Sequence, residues 1–246
     1  MKKIASVLVV ILAVSGTTFA SLIGIDDSGN YGGGWTTGTN QGTGFGAWTL
    51  APSGNAGTFI GDPTAAGISG LGTSAFGLYA NTTAGDFVDV TRSFSSALLA
   101  GDTFSIDWGV NWDSAGTGNK GLNLMAGATE LININMGGSQ TNTINGSAMF
   151  TNYGVNAMTI NFQYLGDTSV RVYATGRDGL ETYDQTLVVS SGTPTGFKIY
   201  ASGLAVGDQR QPYFDNLAIN SIPEPATMAM LGLGAGLLAL RRFRKK

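Results

Sequence analysis

The chain has 246 residues, a formal net charge of −3, and neither cysteine nor histidine. Without histidine there is no Ser-His-Asp or Cys-His catalysis and no usual zinc site, and without cysteine no disulfide framework. Residues 21–222 hold thirteen Asp and two Glu against six Lys plus Arg, a net charge of −9 that argues against nucleic acid as a partner.

Lys2 and Lys3 precede an apolar run of eleven residues, 4–14, and Thr18-Phe19-Ala20 then offers small residues at the −3 and −1 positions. This predicts a helical signal peptide over 1–20, cleaved between Ala20 and Ser21, because eleven apolar residues are too few to span a bilayer. Residues 21–46 are Gly-rich and read as a lead-in to the folded domain or as loops around its first short strands. Their glycines are followed by no lysine and no predicted helix, so they do not make a phosphate cradle.

Residues 47–220 read as the folded domain. Short runs rich in β-branched and aromatic residues recur there, at 75–80, 87–94, 103–110, 130–136, 158–164, 170–173, 183–189, 196–201 and 213–219. The run 103–110 alternates best, with Phe104, Ile106, Trp108 and Val110 on one face and Ser105, Asp107 and Gly109 on the other. Asp178-Gly179 between two runs signals a tight hairpin. With ten to twelve such strands expected and no sustained amphipathic helix, the prediction is all-β: an antiparallel β-sandwich, jelly-roll-like.

The tail, residues 221–246, has three parts in fixed order. Pro223-Glu224-Pro225 is a stiff, extended hinge. Residues 226–240 are uncharged, and as a helix these fifteen would span about 22 Å against a hydrocarbon core of about 30 Å. The basic end 241–246, with Arg241, Arg242, Arg244, Lys245 and Lys246, would stay cytoplasmic and let its arginines snorkel, making 226–240 a short transmembrane helix. In this arrangement the tail resembles the PEP-CTERM sorting signal of Gram-negative bacteria. The resemblance implies an exported protein, a transient inner-membrane intermediate, and processing near Pro223, Glu224 and Pro225 by exosortase, with final residence at the cell surface or in the extracellular matrix. A second resemblance rests on Tyr213-Phe214-Asp215-Asn216-Leu217-Ala218-Ile219, which is similar to the last strand of secreted jelly-roll modules, including carbohydrate-binding and lectin-like domains.

Candidate sites in the domain are few. Trp35 and Trp112 sit among Gly, Asp and Asn and suit platforms for extracellular polysaccharide, since sugar C–H faces stack on rings. Trp48 and Trp108 lie in strand patterns and read as core. No metal site is predicted and no cofactor is required. Asp107, Asp113 and Asp215 are the residues whose oxygens a structural calcium ion would draw on, but solvated turn aspartates are the preferred account of them. A glycosidase needs two facing carboxylates, and Glu130 and Glu181 are the only glutamates of the domain, outside any recognisable catalytic strand motif. The reading is a non-enzymatic surface or matrix protein. Its alternatives are a lectin-like carbohydrate-binding module and, third, a polysaccharide hydrolase.

Overall fold

The computed structural model describes residues 20–82, 85–111, 117–137, 142–151, 156–176 and 179–222. The expected signal helix and transmembrane helix lie outside them, and no helix of the described residues is long and apolar enough to cross a membrane. The strands in chain order are β1 (Ser21–Asp26), β2 (Phe45–Ser53), β3 (Ala56–Gly61), β4 (Ala75–Ala80), β5 (Phe87–Phe94), β6 (Thr103–Gly109), β7 (Asn119–Ala126) and β8 (Thr129–Met136). They continue as β9 (Asn142–Ile144), β10 (Ser147–Phe150), β11 (Met158–Gly166), β12 (Ser169–Thr175), β13 (Thr182–Val188), β14 (Gly196–Ser202) and β15 (Tyr213–Ser221).

Two antiparallel sheets pack face to face. The eight-stranded sheet runs β13-β12-β11-β6-β15-β4-β3, with β1 also on β15, and the seven-stranded sheet runs β10-β9-β8-β7-β14-β5-β2. The chain crosses repeatedly between them, so sequence neighbours often face each other across the core, as in a jelly roll. Inward positions match the period-2 reading: Phe104, Ile106, Trp108 and Val110 are all fully buried, as are Ile132, Ile134, Ile160 and Phe162. Phe104 of one sheet stacks on Phe197 of the other with ring centroids 4.8 Å apart.

Of the two readings of residues 21–46, the structure shows loops around a first short strand and not a lead-in. These residues form β1, which pairs with β15 from Ser21↔Ser221 to Asp26↔Leu217, and then a segment that delivers Tyr31 and Trp35 into the core. The Trp35 ring meets Trp48 edge-on at 5.3 Å and Phe76 at 4.6 Å. The glycines serve close approach here: a Cβ on Gly42 would collide with the Asp26 side chain, and one on Gly44, at φ +76, with the Gly24 backbone.

A buried ion pair ties this segment down. The Arg92 side chain on β5 reaches from the seven-stranded sheet to Asp26 on β1 of the other, and both side chains are wholly removed from solvent. Arg92 Nε also donates to the Gly46 carbonyl at 2.8 Å and Nη2 to Asn40. Its guanidinium lies 4.7 Å from the Phe45 centroid and 4.5 Å from that of Trp48. Asp26 accepts further bonds from Tyr31 Oη at 2.6 Å, Asn30 Nδ2 at 3.0 Å and the Asp27 amide at 2.9 Å. Tyr31 in turn accepts from Trp48 Nε1 at 2.8 Å, and burial together with the Asp26 carboxylate pushes its phenol pKa up.

A second polar anchor sits at a bulge in β15. Asp215 pairs with Asp107 on β6 and the next pair is Ala218↔Ser105, so Asn216 and Leu217 oppose Ile106 alone, with Asn216 left-handed at φ 51. The Asp215 carboxylate accepts from Ser28 N and Oγ, both at 2.8 Å. Burial nevertheless pushes its pKa from 3.8 up to about 6.

Arg92→Met leaves Asp26 buried and uncompensated and lowers unfolding free energy by about 3–5 kcal/mol in urea titration, while the double change Asp26→Leu, Arg92→Met recovers much of it. A loss below about 1 kcal/mol would show that the pair does not hold the segment. At Asp215 the folded carboxyl keeps, between pH 4 and 6, a proton that the unfolded chain has released. This group therefore favours folding at low pH, and its contribution, up to about 3 kcal/mol, fades as pH rises through about 6. Asp215→Asn should remove that part of the pH dependence of the urea midpoint; identical profiles would contradict it.

Candidate functional site on the outer face of the larger sheet

Strand register builds the site. Ser105 of β6 faces Asn161 of β11, Asn161 faces Tyr173 of β12, and Tyr173 faces Asp184 of β13. Because facing residues share a side of the sheet, these four make one row across its outer surface. A neighbouring row carries Gln163, Arg171 and Thr186. On the other side Thr159 faces Asp107 and Thr175 faces Thr182. Asn161, Tyr173, Thr175, Thr182 and Asp184 line an open groove of about 810 Å³, bounded by Asn156 and Ala157 on one flank and by Gly176 and Gly179 of the β12–β13 turn on another.

The groove has an aromatic centre with a fixed neighbour. Arg171 donates from Nε and Nη2 to the two oxygens of Asp184 at 2.7 and 2.6 Å, and its guanidinium stands 4.9 Å from the Tyr173 centroid. The Arg171 hydrogen bonds hold the Asp184 carboxyl below the usual carboxylate range. Asn161 Nδ2 donates to the Tyr173 carbonyl at 3.2 Å and Thr159 Oγ1 to Asp107, whereas the hydroxyls of Thr175 and Thr182 make no protein hydrogen bond among the described residues. A ring bordered by hydroxyl, amide and carboxylate groups can stack on a sugar face and exchange hydrogen bonds with its hydroxyls.

The outer face of the other sheet is also polar, yet it is closed on itself. Asn133 Nδ2 donates to Asn123 Oδ1 at 2.7 Å and to Tyr200 Oη at 2.9 Å, and Tyr200 Oη donates to Asn135 Oδ1 at 3.1 Å. Asn135 Nδ2 continues to Asn119 Oδ1 at 3.1 Å, and Asn123 Nδ2 reaches Glu130. Burial, the largest influence, pushes the Tyr200 phenol up to about 12. Its polar groups already have partners, and the Tyr173 face keeps more free capacity.

The sequence-derived site residues fare differently. Trp35 is a core residue, only 7% exposed, and is no platform; of the glycines that suggested exposure, Gly34 takes a left-handed turn at φ +107 just before the ring enters the core. Trp112, Asp113, Pro223, Glu224, Pro225, Arg241, Arg242, Arg244, Lys245 and Lys246 lie outside the described residues. Ser21 opens β1, and Ala20 before it is exposed. Trp48 and Trp108 are buried, at 1% and 0% exposure. Asp107 accepts from Thr159 and Asn216, and Asp215 from Ser28, so hydrogen bonds within the fold occupy both. Glu130 is on β8 of one sheet, while Glu181 precedes β13 of the other and accepts from the Thr151 amide at 2.9 Å. Sequence reading missed Tyr173, Asn161 and Asp184. The available signal was their position opposite the buried residues Val172, Ile160 and Phe162 in strand alternation.

No curated protein matches the chain in sequence. Among solved structures, a carbohydrate esterase of Shiga toxin-encoding bacteriophage phi24B is similar at 15% identity and TM-score 0.47, over 71% of this chain and 90% of that one. The cellulose-induced protein Cip1 is similar at 10% identity and TM-score 0.44, over 70% and 90% of the two chains. An alginate lyase from Corynebacterium sp. is similar at 11% identity and TM-score 0.41, over 60% and 77%. Residues 221–245 match the PEP-CTERM protein-sorting motif, which implies export and processing by exosortase.

Proposed function

We propose that this is a non-enzymatic protein of the cell surface or extracellular matrix whose sandwich binds extracellular polysaccharide through the Tyr173 groove. The sorting motif at 221–245 is the observation that carries delivery. The tail acts as a temporary membrane tether, and Pro223, Glu224 and Pro225 are recognised by exosortase and perform no chemistry themselves. The groove supports the binding role, because it joins an aromatic ring, a fixed ion pair and unpaired hydroxyls on one open surface.

The hydrolase alternative finds less support. Paired-carboxylate hydrolysis needs two carboxyl groups about 5–9.5 Å apart and facing one another, while Glu130 is on β8 of one sheet and Glu181 just precedes β13 of the other. The groove carboxylate Asp184 is held ionised by Arg171, the wrong state for a general acid.

Deleting residues 223–246 should leave the melting transition of the sandwich unchanged and move the product out of the surface-associated cell fraction. Unchanged fractionation would overturn the sorting role. Tyr173→Ala should abolish retention on polysaccharide without loss of stability, whereas Trp35→Ala should destabilise by about 3–5 kcal/mol as a core truncation. Retention that survives Tyr173→Ala would overturn the groove.

A further inference from the structure

We infer that β13 is a docking edge at which two copies of this chain pair, antiparallel about a two-fold axis at Gln185, into one continuous sheet. The inference stands on the backbone of the edge and does not require the groove to be a glycan site. β13 ends the eight-stranded sheet, and among the described residues no strand lies on its far side. Its register with β12 runs unbroken from Ser169↔Val188 to Thr175↔Thr182. Just past its ends, Val189 N donates to the Thr168 carbonyl and Gly176 N to the Glu181 carbonyl. Backbone direction alternates along a strand. Tyr183, Gln185 and Leu187 therefore bond toward β12, while Thr182, Asp184, Thr186 and Val188 turn their N–H and C=O groups to the open side.

Natural sheets blunt such edges, and the other edges here are blunted. Residues 37–39 run along β2, which also carries Pro52: Gly38 N donates to the Trp48 carbonyl at 2.9 Å and Trp48 N to the Thr39 carbonyl at 3.0 Å. β10 has four residues and a register break, and β3 is buried or half-buried throughout. β1 is bulged between Leu22 and Gly24, and Thr43 takes both backbone groups of Ile25. β13 carries no proline, lysine, arginine or bulge, and its Val188 is 81% exposed.

The strand is also complementary to itself. With the axis at Gln185, Thr182 lies against Val188 of the other copy, Tyr183 against Leu187, and Asp184 against Thr186. Edge-facing groups then meet edge-facing groups at every step, and β-branched and aromatic side chains pair across the junction. An axis at Asp184 would oppose two carboxylates, and one at Thr186 would leave Thr182 and Tyr183 unmatched. An axis between residues would set edge-facing groups against groups already bonded to β12. One register remains. The outer face continues across it and carries both Tyr173 residues, about 16 Å apart by strand spacing.

The test is sedimentation of the full chain in mild detergent, at about 0.15 M salt, where screening acts over about 8 Å and tempers repulsion between two acidic domains. Expected is a reversible monomer–dimer equilibrium within roughly 1–200 µM protein, as suits a small interface. Thr186→Pro removes an edge-facing N–H and no bond to β12, so it should melt like the parent and raise the dissociation constant about tenfold or more. Gln185→Cys gives a second reading. The chain has no cysteine, and across the axis the two thiols face each other in a non-hydrogen-bonded pair. Oxidised glutathione should link them as a disulfide dimer much faster than it links Thr49→Cys on the exposed face of β2. A chain that stays monomeric over that range overturns the inference. So does a dimer that persists unchanged in folded Thr186→Pro, as a contact through the tail would. Crosslinking of Gln185→Cys no faster than that of Thr49→Cys overturns the register.

Discussion

The sandwich depends on one charge placed where charges are costly. Arg92 reaches from β5 to Asp26 on β1, so a residue of one sheet holds the first strand of the other. Such a pair survives burial only when its remaining donors and acceptors are met, because desolvating two ions costs several kcal/mol each. Here the guanidinium donates to Asp26, Asn40 and the Gly46 carbonyl, while the carboxylate also accepts from Tyr31, Asn30 and the Asp27 amide. The flat faces of the cation lie near Phe45 and Trp48, a geometry that a lysine ammonium would not reproduce. In a chain without cysteine this network does what a disulfide does elsewhere: it fixes a peripheral segment to a distant strand.

The same network explains what was legible in the sequence. β4 and β5 follow the expected 75–80 and 87–94, and β5, β6, β8 and β11 keep the expected inward residues because each buries one face more deeply than the other. β1 could not be read that way. Its apolar residues Leu22, Ile23 and Ile25 are about half exposed, while Gly24 and Asp26 point inward. The inversion has local causes: Ile219 crowds position 24, and Arg92 demands a carboxylate at 26. β7 hid for another reason. Residues 120–124 are buried on both faces, including Lys120 and Asn123, so no alternation marks them. Tyr31 and Trp35 were masked by their glycines, which read as looseness although both rings enter the core.

The two outer faces show how similar compositions reach different ends. On the seven-stranded sheet, amides that register sets opposite or beside one another on β7 and β8 close into a network around Tyr200. On the eight-stranded sheet, an arginine and an aspartate take up one another beside the half-buried Tyr173 ring and leave the hydroxyls of Thr175 and Thr182 to solvent. Sequence composition records the abundance of Asn and Thr but not this division, because it arises from which residues strand register sets side by side. Legibility of the site therefore required pairing, and pairing is a long-range property.

Register also bears on how sorting and folding coexist in one chain. The strand that runs up to the sorting motif, β15, is an interior strand: β6 lies along one side, and β4 then β1 along the other. A chain handed to a processing enzyme from an edge strand would expose a row of unpaired amides whenever that strand loosened. β15 instead is paired on both sides, and its bulge is fastened through Asp215 to Ser28 near the start of the domain. The strands close within Ser21–Ser221, and the motif begins at residue 221. Cutting beyond residue 222 would remove no described strand from either sheet, so processing and folding make separate demands on the sequence.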